Sequence, residues 1–119
     1  MLAEAAARFP HEACGLLLGA GLAIDAFRPA ANVHPDPARF FEIDPAALIA
    51  AHRAARSGGP AVVGYFHSHP CGPAAPSAED ARAAAGDGRI WAIAGEGGIK
   101  LYRDAATGFE ALFTRLVAG

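Results

Sequence analysis

Residues 61–80 read AVVGYFHSHPCGPAAPSAED, which places a run of strand-forming residues directly before a pair of histidines. The run at 61–66 is rich in the β-branched and aromatic residues of a buried strand. Because side chains alternate along a strand, His67 and His69 are expected on the same face. The pattern predicts that the strand stops at Pro70, that residues 71–76 form a loop, and that a helix begins at Ser77.

The same stretch contains three groups that bind transition metals. The first turn of a helix that begins at Ser77 can present Asp80 toward the two imidazoles. Two neutral imidazoles and one carboxylate leave the fourth tetrahedral position of Zn²⁺ open for a catalytic water. The spacing therefore predicts one zinc ion, held by His67, His69 and Asp80 at a site suited to reaction.

A carboxylate elsewhere in the chain suits the proton transfers that a metal-bound water needs when it attacks a carbonyl group. Glu12 lies where the chain enters an apolar strand at 13–18, so desolvation is expected to raise its pKa toward a useful value. A nearby zinc ion would lower that pKa, so the sequence leaves the net shift open. We expect Glu12 to act as general base and acid, and Ser77 to direct its hydroxyl at the developing oxyanion. Taken alone, Glu12 also fits an ordinary surface acid, and Ser77 with Asp80 fits a helix cap that needs no metal.

Length and composition are those of one small globular domain. The chain has 119 residues, of which 53% are hydrophobic and 18% charged. A net charge of −2 with scattered basic residues argues against nucleic acid as a partner. No apolar run approaches the roughly 20 residues that cross a bilayer, so no membrane is expected either. We expect a cytoplasmic protein in which Cys14 and Cys71 are free thiols.

Helix and strand patterns surround the central stretch. Helices are expected at 2–9 and, after the N-cap Asp44, from Pro45 to about Ser57. Strands are expected at 13–18, 22–27, 40–43, 61–66, 90–94, 99–103 and 109–116. This order predicts an α/β fold, a single domain of residues 1–119 with a curved mixed β-sheet and helices packed on it. Within it, Phe40 and Phe41 are expected in the core rather than in a substrate groove.

Together these positions resemble the JAMM, or MPN-plus, metallopeptidases of the Mov34 and PAD-1 superfamily. That family has a Glu near the start, then His-x-His-Pro, a Ser separated from the second His by seven residues, and an Asp three residues after the Ser. This chain supplies Glu12, the run at 67–70, Ser77 and Asp80 with the same spacing, and the run EACGLLLG at 12–19 is also similar. The resemblance spans nearly the whole chain and implies a cytidine-deaminase-like fold.

The resemblance also implies a role for each matching residue. By it, Glu12 is the general acid and base, and Ser77 stabilises the tetrahedral intermediate. The zinc ligands are His67, His69 and Asp80.

The activity implied by the resemblance is that of a zinc-dependent peptidase or isopeptidase. Eukaryotic members cleave ubiquitin isopeptide bonds and have insertions for which this chain has little room. It is more similar to the small bacterial members that trim the C-terminal tail of a ubiquitin-like sulfur-carrier protein, so a protein or peptide of that type is the expected partner. The alternative is a non-catalytic MPN-type binding module with structural zinc. The sequence leaves open the oligomeric state, a homodimer included, and the role of Cys71.

Overall fold

A six-stranded mixed sheet forms the centre of the fold in the computed structural model, which describes residues 1–112. Along the chain the elements are α1 (Leu2–Arg8), β1 (Cys14–Ala20), β2 (Ala23–Ala30), α2 (Pro45–Arg56), β3 (Ala61–Pro73), α3 (Ala78–Ala83), β4 (Ile90–Glu96), β5 (Gly98–Ala105) and β6 (Gly108–Leu112). The strand order is β2-β1-β3-β4-β5-β6, with β3 and β4 parallel and the other neighbours antiparallel. The predicted α/β fold with a mixed sheet and helices is confirmed.

Both faces of the sheet bury apolar side chains. On one face, Leu17 of β1 belongs to a cluster against which Ala5 of α1 packs. On the other face, Leu16 and Leu18 form a second cluster with Ala51 of α2. A strand buried on both faces has a continuous apolar run rather than an alternating one, which explains the composition of β1.

The helix α2 begins and ends at the residues that the sequence indicates. Asp44 accepts a hydrogen bond from the backbone N–H of Ala46 at 3.0 Å, and Pro45 follows the cap directly. At the other end, Ser57 is the C-cap and Gly58 has a φ of 96°, which glycine adopts without strain. The predicted helix is confirmed, as is the first helix, which ends at Arg8.

The strand β3 is longer than the sequence pattern predicts. Instead of stopping at Pro70, it continues to Pro73, so the prediction of a loop is wrong for residues 71–73. The partner strand β1 begins at Cys14, opposite His67. The β3 residues that follow His67 therefore have no β1 residue beside them. Because Pro70 is one of these residues, its missing N–H removes no hydrogen bond between β3 and β1.

The strand predicted at residues 40–43 is wrong. The segment makes only an isolated bridge between Asn32 and Ile43. The Asn32 side chain donates to the carbonyl of Phe40 and accepts from the N–H of Glu42, each at 3.0 Å. Because a side chain satisfies these backbone groups, they do not pair with a neighbouring strand. Residues 31–43 therefore form a loop between β2 and α2, called loop 31–43 below.

The last three strands follow the predicted pattern. A tight turn at Gly97 joins β4 to β5, and β6 pairs antiparallel with β5. The expected continuation of the last strand to residue 116 lies outside the described residues. Within residues 1–112, no helix is long and apolar enough to cross a membrane.

Candidate metal centre and active site

Three metal-binding side chains converge where β3 meets the start of α3. The Nε2 atoms of His67 and His69 lie 3.0 Å apart, so the two rings share a face as predicted. One carboxylate oxygen of Asp80 lies 3.1 Å from His67 Nε2, and the other lies 3.2 Å from His69 Nε2. The structure thus brings together the three residues that the sequence spacing singles out.

The hydrogen bonding of His69 shows that this cluster suits a cation. Its Nδ1 lies 3.0 Å from the carbonyl oxygen of Pro73. A carbonyl only accepts, so Nδ1 carries the hydrogen and Nε2 of the neutral ring has a lone pair. Lone-pair atoms as close as those of His67, His69 and Asp80 repel one another unless a proton or metal ion lies between them. Tetrahedral zinc, with bonds of about 2.0–2.1 Å, spaces its ligand atoms by about 3.3 Å, close to the distances found here.

Burial and hydrogen bonding set the charges of these groups. Burial lowers the pKa of His67, which keeps its imidazole neutral. The Asp80 carboxylate, as hydrogen-bond partner, raises the pKa of His69 against the opposing effect of burial. Burial alone would raise the pKa of Asp80, but the two histidine side chains beside its carboxylate hold it well below its usual range. An ionised carboxylate beside a neutral imidazole is the state that binds metal.

The N-terminus of α3 fixes the Asp80 carboxylate. Ser77 Oγ accepts from the Asp80 N–H at 3.1 Å, and Asp80 Oδ2 accepts from the Ser77 N–H at 2.8 Å. This reciprocal pair is a capping box. Because the cap uses Ser77 Oγ as an acceptor, the hydroxyl hydrogen remains available to donate to another group.

Glu12 is buried beside the histidines. Glu12 is 6% exposed. One of its carboxylate oxygens, a ring nitrogen of His67 and a ring nitrogen of His69 all lie within 4.8 Å of one another, so these three atoms could also hold a metal ion. Burial raises the pKa of Glu12, His69 opposes the rise and Asp80 adds to it, and the net value is about 7. In the metal-free protein the pKa of Glu12 therefore shifts in the direction that desolvation favours.

Two polar residues that are not among the predicted site residues hold the backbone around Glu12. Ser68, buried between the histidines in sequence, accepts from the N–H of Ala13 at 2.8 Å. Asn32 donates to the carbonyl of Glu12 at 3.0 Å, and the N–H of Glu12 donates to Pro37 at 2.7 Å. Because Ser68 lies between the two histidines of the His-x-His motif, the sequence could have indicated that it is near the site. Asn32 lies in a loop with no motif, so the sequence gives no such indication for it.

A groove of about 990 Å³ adjoins the cluster and is lined by Glu12, His69, Asp80 and residues of loop 31–43. Phe40 and Phe41 are half-buried and line this groove, so their predicted place in the core is wrong.

Both cysteines are free: Cys71 is exposed and also lines the groove, and Cys14 is buried in β1.

Comparison with known proteins gives a family match over most of the chain. Residues 1–108 match the family model described as prokaryotic homologs of the JAB domain. The chain belongs to the prokaryotic JAB family. This membership confirms the resemblance to JAMM metallopeptidases that the histidine, serine and aspartate spacing indicates.

Two relatives of this JAB-family chain have names that describe an activity. A desampylase from Haloferax volcanii is 36% identical over 86 residues, which are 71% of this chain and 62% of that protein. A probable TtuB-protein conjugate cleaving protease from Thermus thermophilus is 39% identical over 75 residues, which are 63% of this chain and 50% of that protein. The match thus spans 62% of the length of the first relative and 50% of the length of the second.

Two solved structures share the fold of this JAB-family chain. Protein DSY2949 from Desulfitobacterium hafniense superposes with a TM-score of 0.80 at 32% identity, covering 94% of this chain and 82% of that one. A protein from Salinibacter ruber gives a TM-score of 0.66 at 28% identity, covering 92% and 80% respectively. The sheet and helices described above are therefore those of known structures.

Proposed function

We propose that this chain is a zinc-dependent peptidase or isopeptidase that hydrolyses an amide bond at the C-terminal tail of a ubiquitin-like or sulfur-carrier protein. The proposal depends on the convergence of His67, His69 and Asp80 within 3.2 Å, next to the buried Glu12. The names of the two relatives support the substrate class, since one is a desampylase and the other is named for cleaving TtuB–protein conjugates.

In this proposal, His67 Nε2, His69 Nε2 and a carboxylate oxygen of Asp80 hold the metal. When bound, zinc acts as a Lewis acid on the scissile carbonyl and makes water a better nucleophile at neutral pH. Asp80 is preferred to Glu12 as the third ligand because its oxygens lie 3.1 and 3.2 Å from the two imidazole nitrogens. The Pro73 carbonyl orients the ring of His69, as such acceptors do in metal sites.

Glu12 moves the protons of the reaction. As a carboxylate it takes a proton from the attacking water, and as a carboxylic acid it then donates that proton to the leaving amine. Burial raises the pKa of Glu12 to about 7 in the metal-free protein, well above the ordinary value of a carboxyl, which favours the protonated form that the second step needs. Ser77 donates its hydroxyl hydrogen to the oxyanion that develops on the substrate carbonyl.

We also propose that residues 1–119 belong to a single domain and that the protein acts in the cytoplasm. The single sheet and the family match over residues 1–108 support the first point. The free thiols of Cys14 and Cys71 support the second, because thiols remain reduced in that compartment.

An intact-mass measurement of a ubiquitin-like protein with a short C-terminal peptide extension tests the proposal. The zinc-loaded chain should remove the extension. Glu12→Gln should keep its zinc and turn over at least about 10²-fold more slowly, because it loses the proton acceptor. His67→Ala, His69→Ala and Asp80→Ala should each lose activity and most of the zinc, since two protein ligands hold the ion poorly.

Glu42→Gln is a control for Glu12→Gln: it changes an exposed carboxylate of loop 31–43 and should leave turnover unchanged. Ser77→Ala tests the hydroxyl and should keep zinc but lose about 10²- to 10³-fold in turnover. Ser77→Thr is its control, because it keeps the hydroxyl and should keep the activity. Zinc held stoichiometrically by His67→Ala would exclude the ligand assignment. If the zinc-loaded parent binds the substrate but never cleaves it, the chain is a binding module.

A further inference from the structure

The two histidines of the candidate metal centre are held in different ways. His69 has a hydrogen bond from Nδ1 to the Pro73 carbonyl, as a metal-binding histidine usually has. His67 is fully buried, and among residues 1–112 its Nδ1 atom has no hydrogen-bond partner. The usual restraint on the orientation of a ligand ring is therefore missing at His67.

Aromatic rings surround His67 instead. The Phe41 ring stacks on the imidazole with a centroid distance of 4.3 Å and an interplanar angle of 12°. The Trp91 ring meets the imidazole edge-on at 5.7 Å and 89°. Rotation of the imidazole out of this plane would drive its edge into the Phe41 ring, because parallel rings at this distance are already in van der Waals contact.

The position of Phe41 is itself fixed by hydrogen bonds. The Asn32 side chain donates to the carbonyl of Phe40 and accepts from the N–H of Glu42, so the backbone is held on both sides of Phe41. The same side-chain amide donates to the carbonyl of Glu12. Loop 31–43 thus contacts the candidate centre in two places. Its Asn32 holds the backbone of Glu12, and its Phe41 packs on His67.

We infer that Phe41 is a positioning residue for the metal centre. Its ring, held in place through Asn32, takes over the restraint that a hydrogen bond to Nδ1 would give and keeps His67 Nε2 directed at Asp80 and His69. The inference rests on the proposed zinc site and adds that loop 31–43 contributes to metal affinity without supplying a ligand.

The test compares zinc binding in variants of Phe41 and of its neighbour. Phe41→Leu and Phe41→Met keep an apolar side chain but remove the flat ring, whereas Phe41→Tyr keeps the ring. Phe40→Leu is the matched control, because the Phe40 ring packs on His34 rather than on a proposed ligand. Zinc affinity is measured by competition with a chelator, coordination by the visible spectrum of the Co²⁺-substituted protein, and folding by thermal unfolding without metal.

We expect Phe41→Leu and Phe41→Met to bind zinc about 10- to 100-fold more weakly, as expected when a group that orients a ligand is lost. Their cobalt spectra should change, while Phe41→Tyr and Phe40→Leu should keep the parent affinity and spectrum. Parent-like zinc binding by the folded Phe41→Leu or Phe41→Met protein would overturn the inference and leave the proposed function intact. An equal loss in Phe40→Leu would also overturn it. A parent that binds no zinc would instead refute the proposed function itself.

Discussion

The Glu12 side chain is largely removed from water by the fold around it. The side chain is 6% exposed, and its backbone is fixed on both sides by hydrogen bonds to loop 31–43. Its pKa rises from the ordinary value of 4.5 to about 7 because burial disfavours the charged form. In the unfolded chain the carboxyl returns to water and to its ordinary pKa.

This difference predicts that Glu12 makes a contribution to the stability of the metal-free protein that is lost as pH rises. Below the unfolded pKa, Glu12 is protonated in both states. Between 4.5 and about 7 the folded protein retains a proton that the unfolded chain has released, so rising pH favours unfolding, and above about 7 the loss is complete. A shift of this size corresponds to about 3 kcal/mol.

Urea unfolding of the chelator-treated protein between about pH 4 and pH 8 checks this prediction. The Glu12→Gln variant should become progressively more stable than the parent over that range, since it has no carboxyl to ionise. The exposed Glu42→Gln variant should follow the parent at every pH. Parallel stability curves for Glu12→Gln and the parent would mean that Glu12 is solvated in the folded state.

The candidate ligands can be predicted from sequence because local geometry alone places them. A strand brings His67 and His69 to one face, and the first turn of a helix presents Asp80. Phe41 and Asn32 cannot be predicted in this way. Their contacts with His67 and Glu12 depend on how loop 31–43 folds against β1 and β3, and no local period reports that packing.

Among the elements, β3 contributes most to the candidate site. It holds both histidines and also Pro73, whose carbonyl orients His69. The sequence indicates a strand only as far as Pro70 because proline usually interrupts pairing. The extension depends on β4, where Glu96 pairs with Pro73, and this pairing between distant segments has no signal in the local sequence.

The contact between β4 and the end of β3 predicts a strong effect of Gly95→Ala. A Cβ at Gly95 would lie 2.6 Å from the carbonyl carbon of Pro73 and 2.7 Å from the nitrogen of Ala74. The backbone must therefore shift, and a shift of the end of β3 would displace the Pro73 carbonyl from His69. We expect a loss of about 1–3 kcal/mol in unfolding free energy and a loss of about 10-fold or more in zinc affinity.

Thermal unfolding and chelator competition measure these two effects separately. Gly21→Asn is the control, since Gly21 has a φ of 58° that asparagine tolerates and no atom lies near its Cβ position. It should keep the parent zinc affinity. If Gly95→Ala is destabilised but binds zinc like the parent, the Pro73 carbonyl does not orient His69.

At the scale of the molecule, the candidate centre connects parts of the chain that are far apart in sequence. Glu12 precedes β1, the histidines lie in β3 and Asp80 lies in α3. The alternation of helices and strands predicts the α/β class, but the strand order depends on pairings between distant segments and could not be predicted from local patterns. An ion that binds only this folded arrangement stabilises the whole domain by mass action.

Cys14 provides a measure of that stabilisation. It is fully buried in β1, its thiol donates to the carbonyl oxygens of Ala30 and Ala31 at 3.6 Å, and burial raises its pKa to about 12. Because the thiolate is the reactive form, Cys14 should react with iodoacetamide only when the sheet opens, whereas the exposed Cys71 should react in the folded protein. Mass spectrometry of the two cysteine-containing peptides distinguishes the sites.

Zinc should therefore slow the labelling of Cys14. The experiment uses the variant Cys71→Ser, which lacks the exposed thiol that could itself bind the ion. At free zinc about 100 times its dissociation constant, the folded state gains about 2.7 kcal/mol, so labelling should slow about 100-fold where it requires global unfolding. Adding Asp80→Ala should abolish this protection because the proposed site loses a ligand. Equal labelling rates with and without zinc in Cys71→Ser would show that the ion does not couple β3 and α3 to the stability of the central sheet.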